Sequence, residues 1–102
     1  MFDIHLTEAG HSGLFAAKSL LNTTGTLSFH FSGPLRIVVD SLEVKQGLSF
    51  RTVAYKLLDA LHEYAYYQNC RLSFRCPKAK AINDQQIAHE LAELSLLEEK
   101  AA

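Results

Sequence analysis

The 102-residue chain has no tryptophan, one methionine, two prolines and two cysteines. Cys70 and Cys76 cannot build the disulfide framework that staples small secreted domains, so a cytoplasmic setting is expected. Charge of one sign is also scarce: Lys+Arg 10 against Asp+Glu 11 leaves a formal net charge of -1. That balance offers no basic surplus to attract nucleic acid or an acidic membrane, and neither is expected as a partner. No apolar run approaches the roughly 20 residues needed to cross a bilayer. The opening residues Met1 to Leu6 lack the charged and apolar regions of a secretory signal. The signatures GxGxxG, GxxxxGK[ST] and HExxH are missing as well. His5, His11, His30, His62 and His89 stand at no metal-ligand spacing with the cysteines, so zinc is not expected. Each of these imidazoles reads more readily as a surface or structural residue than as a catalytic one.

What remains is ordinary globular material. Hydrophobic residues make up 48% and charged residues 21%, which excludes disorder and low complexity. The length suits one domain over residues 1–102, without repeats or a linker. Phe2 to Leu6 reads as a short edge strand, and Glu8 to Gly13 as a loop. Leu14 to Leu21 forms a second strand. In Thr26 to Phe31, Leu27, Phe29 and Phe31 point one way while Thr26, Ser28 and His30 point the other. Ser32-Gly33-Pro34 turns the chain into a returning strand over Leu35 to Val44.

The returning strand slips in phase. Leu35, Ile37 and Val39 are apolar on odd positions, whereas Leu42 and Val44 follow on even ones. A β-bulge near Asp40 or Ser41 would return all five to one face; an unbroken strand covered on both faces is the alternative, and periodicity alone does not choose. Lys45 to Ser49 is a loop, and Ser49 is a suitable N-cap. Val53, Leu57, Leu61, Tyr64 and Ala65, widened by Ala54 and Leu58, predict a helix from Phe50 to about Gln68, which Asn69 can end in the left-handed conformation. Arg71 to Cys76 alternates as a strand, stopped by Pro77. Lys78 to Ile82 suggests a helical turn. Asn83-Asp84 offer caps for a last helix carrying Ile87, Leu91 and Leu94, whose packing on the sheet is the ordinary expectation and an interface the alternative. Glu98 and Glu99 oppose the helix dipole there, so the end is expected to fray. The order β-β-β-β-α-β-α gives a layered α/β (α+β) domain with a mainly antiparallel, bulged sheet and helices packed on it.

Two places invite chemistry. Cys76 ends a strand beside Arg75 and Lys78, and cationic neighbours favour the attacking thiolate. It also shares a face with Leu72 and Phe74, and the residues alone favour a buried, packing role. The second place is the strand-to-helix passage from Leu42 to Arg51, where free helix amides with Gly47, Lys45 and Arg51 nearby suit a phosphate or pyrophosphate.

From residue 26 to 83 these segments resemble the small single-domain members of the GNAT N-acetyltransferase superfamily. Ile37 to Val44 is similar to their bulged strand, and Leu48 to Ala65 to their glycine-rich helix start and helix. Leu72-Ser73-Phe74-Arg75-Cys76-Pro77 resembles the strand that carries their cysteine, with Ala81-Ile82 following. The resemblance implies a GNAT-like fold, acetyl-CoA as cofactor, and transfer to an amine acceptor by a monomer or homodimer. It places the cofactor beside Leu42 and Val44, with its pyrophosphate at the amides of Arg51, Thr52, Val53 and Ala54. Cys76 becomes a nucleophile or pocket wall, and Glu43 a general base. Departures accompany the likeness: Ser49 stands for a basic residue, Phe50 and Thr52 for glycines, Ser41 for a histidine and Lys45 for a proline. Side chains at Phe50 and Thr52 crowd a backbone that glycine leaves open. A GNAT-like domain whose cofactor loop has decayed, kept for protein binding or self-association, is the second expectation; an unrelated α+β adaptor is the third.

Overall fold

The computed structural model describes residues 3–19, 22–47 and 50–101, with side chains as far as Glu93. Phe2, Leu20, Leu21 and the N-cap candidate Ser49 lie outside the described residues, as does the side chain of Leu94.

Alternating residues build a meander of β1 (Asp3–Ala9), β2 (Ser12–Lys18), β3 (Thr23–Phe31) and β4 (Arg36–Val44). α1 (Phe50–Tyr67) then crosses to β5 (Arg71–Phe74), and α2 (Pro77–Ala101) ends the chain. The sheet order is β1-β2-β3-β4-β5. The meander pairs antiparallel and β4 pairs β5 in parallel, so the domain is α+β with a mixed five-stranded sheet, in the expected element order. The first loop is shorter than expected. Glu8 pairs Gly13 and Ala9 pairs Ser12, leaving Gly10-His11 as a two-residue turn with Gly10 at φ 61°.

The phase slip in β4 is a bulge. Ser28 faces Ser41 and Phe29 faces Val39, so Asp40 is the residue without a partner. After it Leu42 (1% exposed) and Val44 (8%) rejoin the buried face of Ile37 and Val39. Leu35 does not belong to that face: it sits in the turn before β4 and is 62% exposed. Its carbonyl accepts from Arg71 N–H (2.8 Å), but its side chain lies ahead of the first paired residue and stays in solvent.

α1 lays Val53, Ala54, Leu57, Leu58, Leu61 and Ala65 on that face. It ends as expected at Asn69, φ 55°, where Cys70 N–H reaches Ala65 O (2.9 Å) and Asn69 N–H reaches Tyr66 O (3.2 Å). These two bonds form a Schellman motif, which uses up carbonyls the helix end would otherwise orphan. Tyr64 packs among Phe15, Phe29 and Phe31 and donates its hydroxyl to Glu8. Burial and the Glu8 carboxylate push this phenol up to about 12. Gly13 makes room for the cluster, since a methyl group there would lie 2.4 Å from the Phe29 ζ carbon.

The end of the chain corrects the sequence reading. β5 stops at Phe74, short of Cys76, and α2 is continuous through Asn83-Asp84 to Ala101. Asn83 is no cap: it is 5% exposed, and its Oδ1 accepts from His62 Nε2 at 2.6 Å. Gln86 Nε2 likewise donates to Asp59 Oδ1 at 2.6 Å. Beyond Gln86 the helix leaves the core, with Ile87 42% and Leu91 61% exposed, so they do not pack on the sheet. Among the described residues, no helix is long and apolar enough to cross a membrane. Both helices share one core cluster with the buried face of the sheet. Thr26, Ser28 and His30 point to the other face, which carries no helix among the described residues.

Candidate functional site

Parallel β4 and β5 run side by side only from Arg36↔Arg71 to Val39↔Phe74. The last bond between them is Arg75 N–H to Val39 O, 2.9 Å. β4 then bulges at Asp40 and continues to Val44, while the other chain segment turns into α2. The two strands therefore part at their carboxyl ends. Crevices at such ends are the usual ligand positions of parallel sheets, because helix N-termini gather there.

Backbone alternation sets what the crevice offers. Lys45 N–H bonds Thr24 O on β3 (2.9 Å), so Glu43 also turns its amide and carbonyl toward β3, whereas Leu42 and Val44 turn theirs the other way. That is the side β5 has left, and no described residue pairs with them there. Both residues are buried as a whole, Leu42 at 1% and Val44 at 8% exposure, so this unpaired edge lies within the fold.

Two helices begin at this opening. Lys78 Nζ, in the first turn of α2, lies 5.7 Å from the centroid of the Phe50 ring at the start of α1, a cation–π distance. Neither helix has an acidic residue in its first turn, so their partial positive charges stand unneutralised beside Arg51 and Lys78. Arg51 and Thr52 are exposed, and Val53 (2%) and Ala54 (0%) send their side chains into the core. Early helix amides lack intrahelical acceptors, and in α1 this leaves those of Arg51 and Thr52 to an anion. Phe50 N–H bonds Gly47 O (3.2 Å), and Val53 and Ala54 lie beyond the orphan positions, contrary to their expected place at the pyrophosphate. Phe50 is half-buried and packs against the core.

Cys76 sits at the α2 start rather than in β5. Its carbonyl accepts from Lys80 N–H at 3.1 Å, which makes it the N-cap before Pro77. It is half-buried and, like Leu72 and Phe74, packs against the core. Leu42, Val44, Arg51 to Ala54 and Cys76 thus converge on one end of the sheet. Glu43 stands apart. It is exposed, pairs Thr26, and lines a shallow depression with Thr23, Thr24 and Lys45 at the ends of β3 and β4.

One constellation went unread in the sequence. On the sheet face opposite the helices, His30 Nδ1 lies 2.8 Å from Asp40 Oδ2, and the Arg75 guanidinium lies 4.0 Å from the other Asp40 oxygen. Beside them the Ser28 and Ser41 hydroxyls share a hydrogen bond. The signal was present in the phase slip, since a bulge at Asp40 takes its side chain out of the alternation and toward outward-facing His30. Compared with models of known protein families and with curated proteins, the chain matches none.

Proposed function

We propose that the opening between β4 and β5 takes a coenzyme A thioester and that the protein is an acetyl-CoA-dependent N-acetyltransferase of the minimal GNAT type, acting on an amine acceptor. The observation that carries this reading is the parting of two parallel strands after Val39, with the Leu42 and Val44 backbone facing the gap and two acid-free helix starts at its mouth. The residues fit the group. An extended amide-bearing arm suits the unpaired strand edge at Leu42 and Val44, and a pyrophosphate suits the amides of Arg51 and Thr52 with the Arg51 and Lys78 side chains beside them. Phe50 packs on the core, with Lys78 over its ring, and Thr52 faces solvent. When bound, the thioester supplies an activated acetyl group. Cys76, half-buried at the start of α2, is the nearby thiol, and Glu43 stands apart on the β3 side of β4.

Calorimetric titration with acetyl-CoA tests the reading. Micromolar affinity is expected, about -8 kcal/mol, and Phe50→Gly/Thr52→Gly should leave it flat or weaken it. No heat at millimolar acetyl-CoA would overturn the reading. Tighter binding by the double variant would favour a decayed loop and the second reading, a protein-binding or self-associating domain. One observation favours that alternative: Ile87 and Leu91 stand exposed on the part of α2 that leaves the core.

A further inference from the structure

We infer that His30 is the proton acceptor for the incoming amine and that Asp40 is its positioning residue, an assignment that rests on the transferase reading above. The bulge supplies the geometry. Asp40 is the unpaired residue next to Val39, the last residue of β4 bonded to the β5 side. A gap between strands opens on both faces of a sheet. On the helix side Leu42, Val44 and Val53 belong to the core, with Cys76 packed against it. On the other face its neighbours are Asp40 and, bonded to it, His30. The acceptor amine therefore approaches from the face without helices, where the dyad waits.

The dyad is built for one proton. Asp40 Oδ2 accepts from His30 Nδ1–H at 2.8 Å, which fixes the tautomer and leaves the Nε2 lone pair as the acceptor. The side chains are 36% and 33% exposed, open to a substrate yet partly sheltered. The register partners of His30 are Ser12 on β2 and Val38 on β4, neither of them charged. Asp40, through it Arg75 at 4.0 Å, and Arg36, two residues before Val38 on the same face of β4, are the charged groups on the side of the imidazole. Glu43, the carboxylate expected to serve as base, has no such orienting partner among the described residues.

The step balances without a further reactant. The acceptor ammonium gives one proton to Nε2, and its nitrogen lone pair forms the C–N bond at the thioester carbonyl. The C–S bond breaks with its electron pair on sulfur, which takes the second nitrogen proton and leaves as the thiol. The imidazolium returns its proton to water.

The test uses the full chain with acetyl-CoA and ethylamine, following thiol release from pH 5 to 9, beside nitrogen NMR of the histidines in the ligand-free protein. His30→Gln is expected to lower kcat by about 100- to 10,000-fold, with acetyl-CoA affinity and melting temperature retained and the acidic limb of the pH profile lost. Asp40→Asn should keep binding, lower kcat, and convert the His30 ring from one tautomer to a mixture. His5→Gln, on β1, should behave as wild type. A wild type that binds acetyl-CoA yet does not accelerate transfer, or His30→Gln with an unchanged profile, would overturn the assignment. So would a loss confined to Glu43→Gln. Failure of wild type to bind acetyl-CoA at all would instead remove the transferase reading, and the assignment with it.

Discussion

Substituting Gly13 by alanine tests the packing that holds the sheet to α1. The new methyl would lie 2.4, 2.8 and 3.0 Å from three carbons of the Phe29 ring. That ring is 1% exposed and has nowhere to retreat. Phe15 and Tyr64 stand with centroids 5.5 Å away and Phe31 at 6.0 Å. Overfilling a packed site of this kind costs about 1–3 kcal/mol. Gly13 has no positive φ, so alanine is also stabilising through the unfolded chain, by about 0.4–1 kcal/mol. The balance is a loss centred on about 1.3 kcal/mol, and at about 4–8 °C per kcal/mol for a domain of this size the melting temperature falls by roughly 5–10 °C. Differential scanning calorimetry and urea unfolding of Gly13→Ala, Phe29→Leu and the pair complete the cycle. Shortening Phe29 makes room for the methyl, so the double variant should lose at least about 0.5 kcal/mol less than the sum of the singles. An unchanged or raised melting temperature for Gly13→Ala, or strict additivity, would refute the packing argument.

Tyr64 gives a pH signature. Its folded value of about 12 lies above the ordinary 10.0, so the stability it contributes is complete below pH 10 and is lost as pH rises toward 12. Tyr64→Phe should flatten the fall of melting temperature across that window, and ultraviolet difference titration should show one of the four tyrosines ionising late; identical alkaline slopes would count against the burial beside Glu8. At Asn69, φ 55°, glycine should be neutral or stabilising, while alanine should cost about 1 kcal/mol in urea unfolding. Asn83→Ala leaves the His62 ring without its partner and should cost about 1–2 kcal/mol. If Asn83 were instead a helix cap, Asn83→Ser would restore stability, and it should not.

Local periodicity carried most of the fold. α1 was legible because Val53, Leu57, Leu61 and Ala65 repeat at the helical spacing and all four are buried. The bulge was legible because a strand that changes parity without leaving the core has to gain a residue, which here is Asp40. Asn83-Asp84 misled for a physical reason. The same amide that caps a helix can bridge two helices, and the choice is made by His62, 21 positions away in the chain. Glu8 and Ser12 looked like loop residues because both are polar, yet they belong to an edge hairpin whose outer side faces water. For the site, each helix start could be located separately. Their meeting, marked by Lys78 over Phe50, depends on β5 docking against β4. The His30–Asp40 dyad needs the register between two strands, which is readable only after the bulge has been located.

The short parallel seam also sets an order of assembly. β1 to β4 join neighbour to neighbour through tight connections, contacts that close on the microsecond scale of hairpins. β5 must wait for α1 to form and cross, and then gains only the four rungs from Arg36↔Arg71 to Val39↔Phe74. Such late, non-local pairing is slow to form and among the first to open. Hydrogen exchange should therefore show β5 and the start of α2 releasing their amides together, ahead of β2 and β3. A molecule lodged between the Leu42–Val44 edge and the two helix starts would span that seam, so occupancy would be recorded as slowed exchange in β5, a strand carrying none of the backbone that the molecule touches.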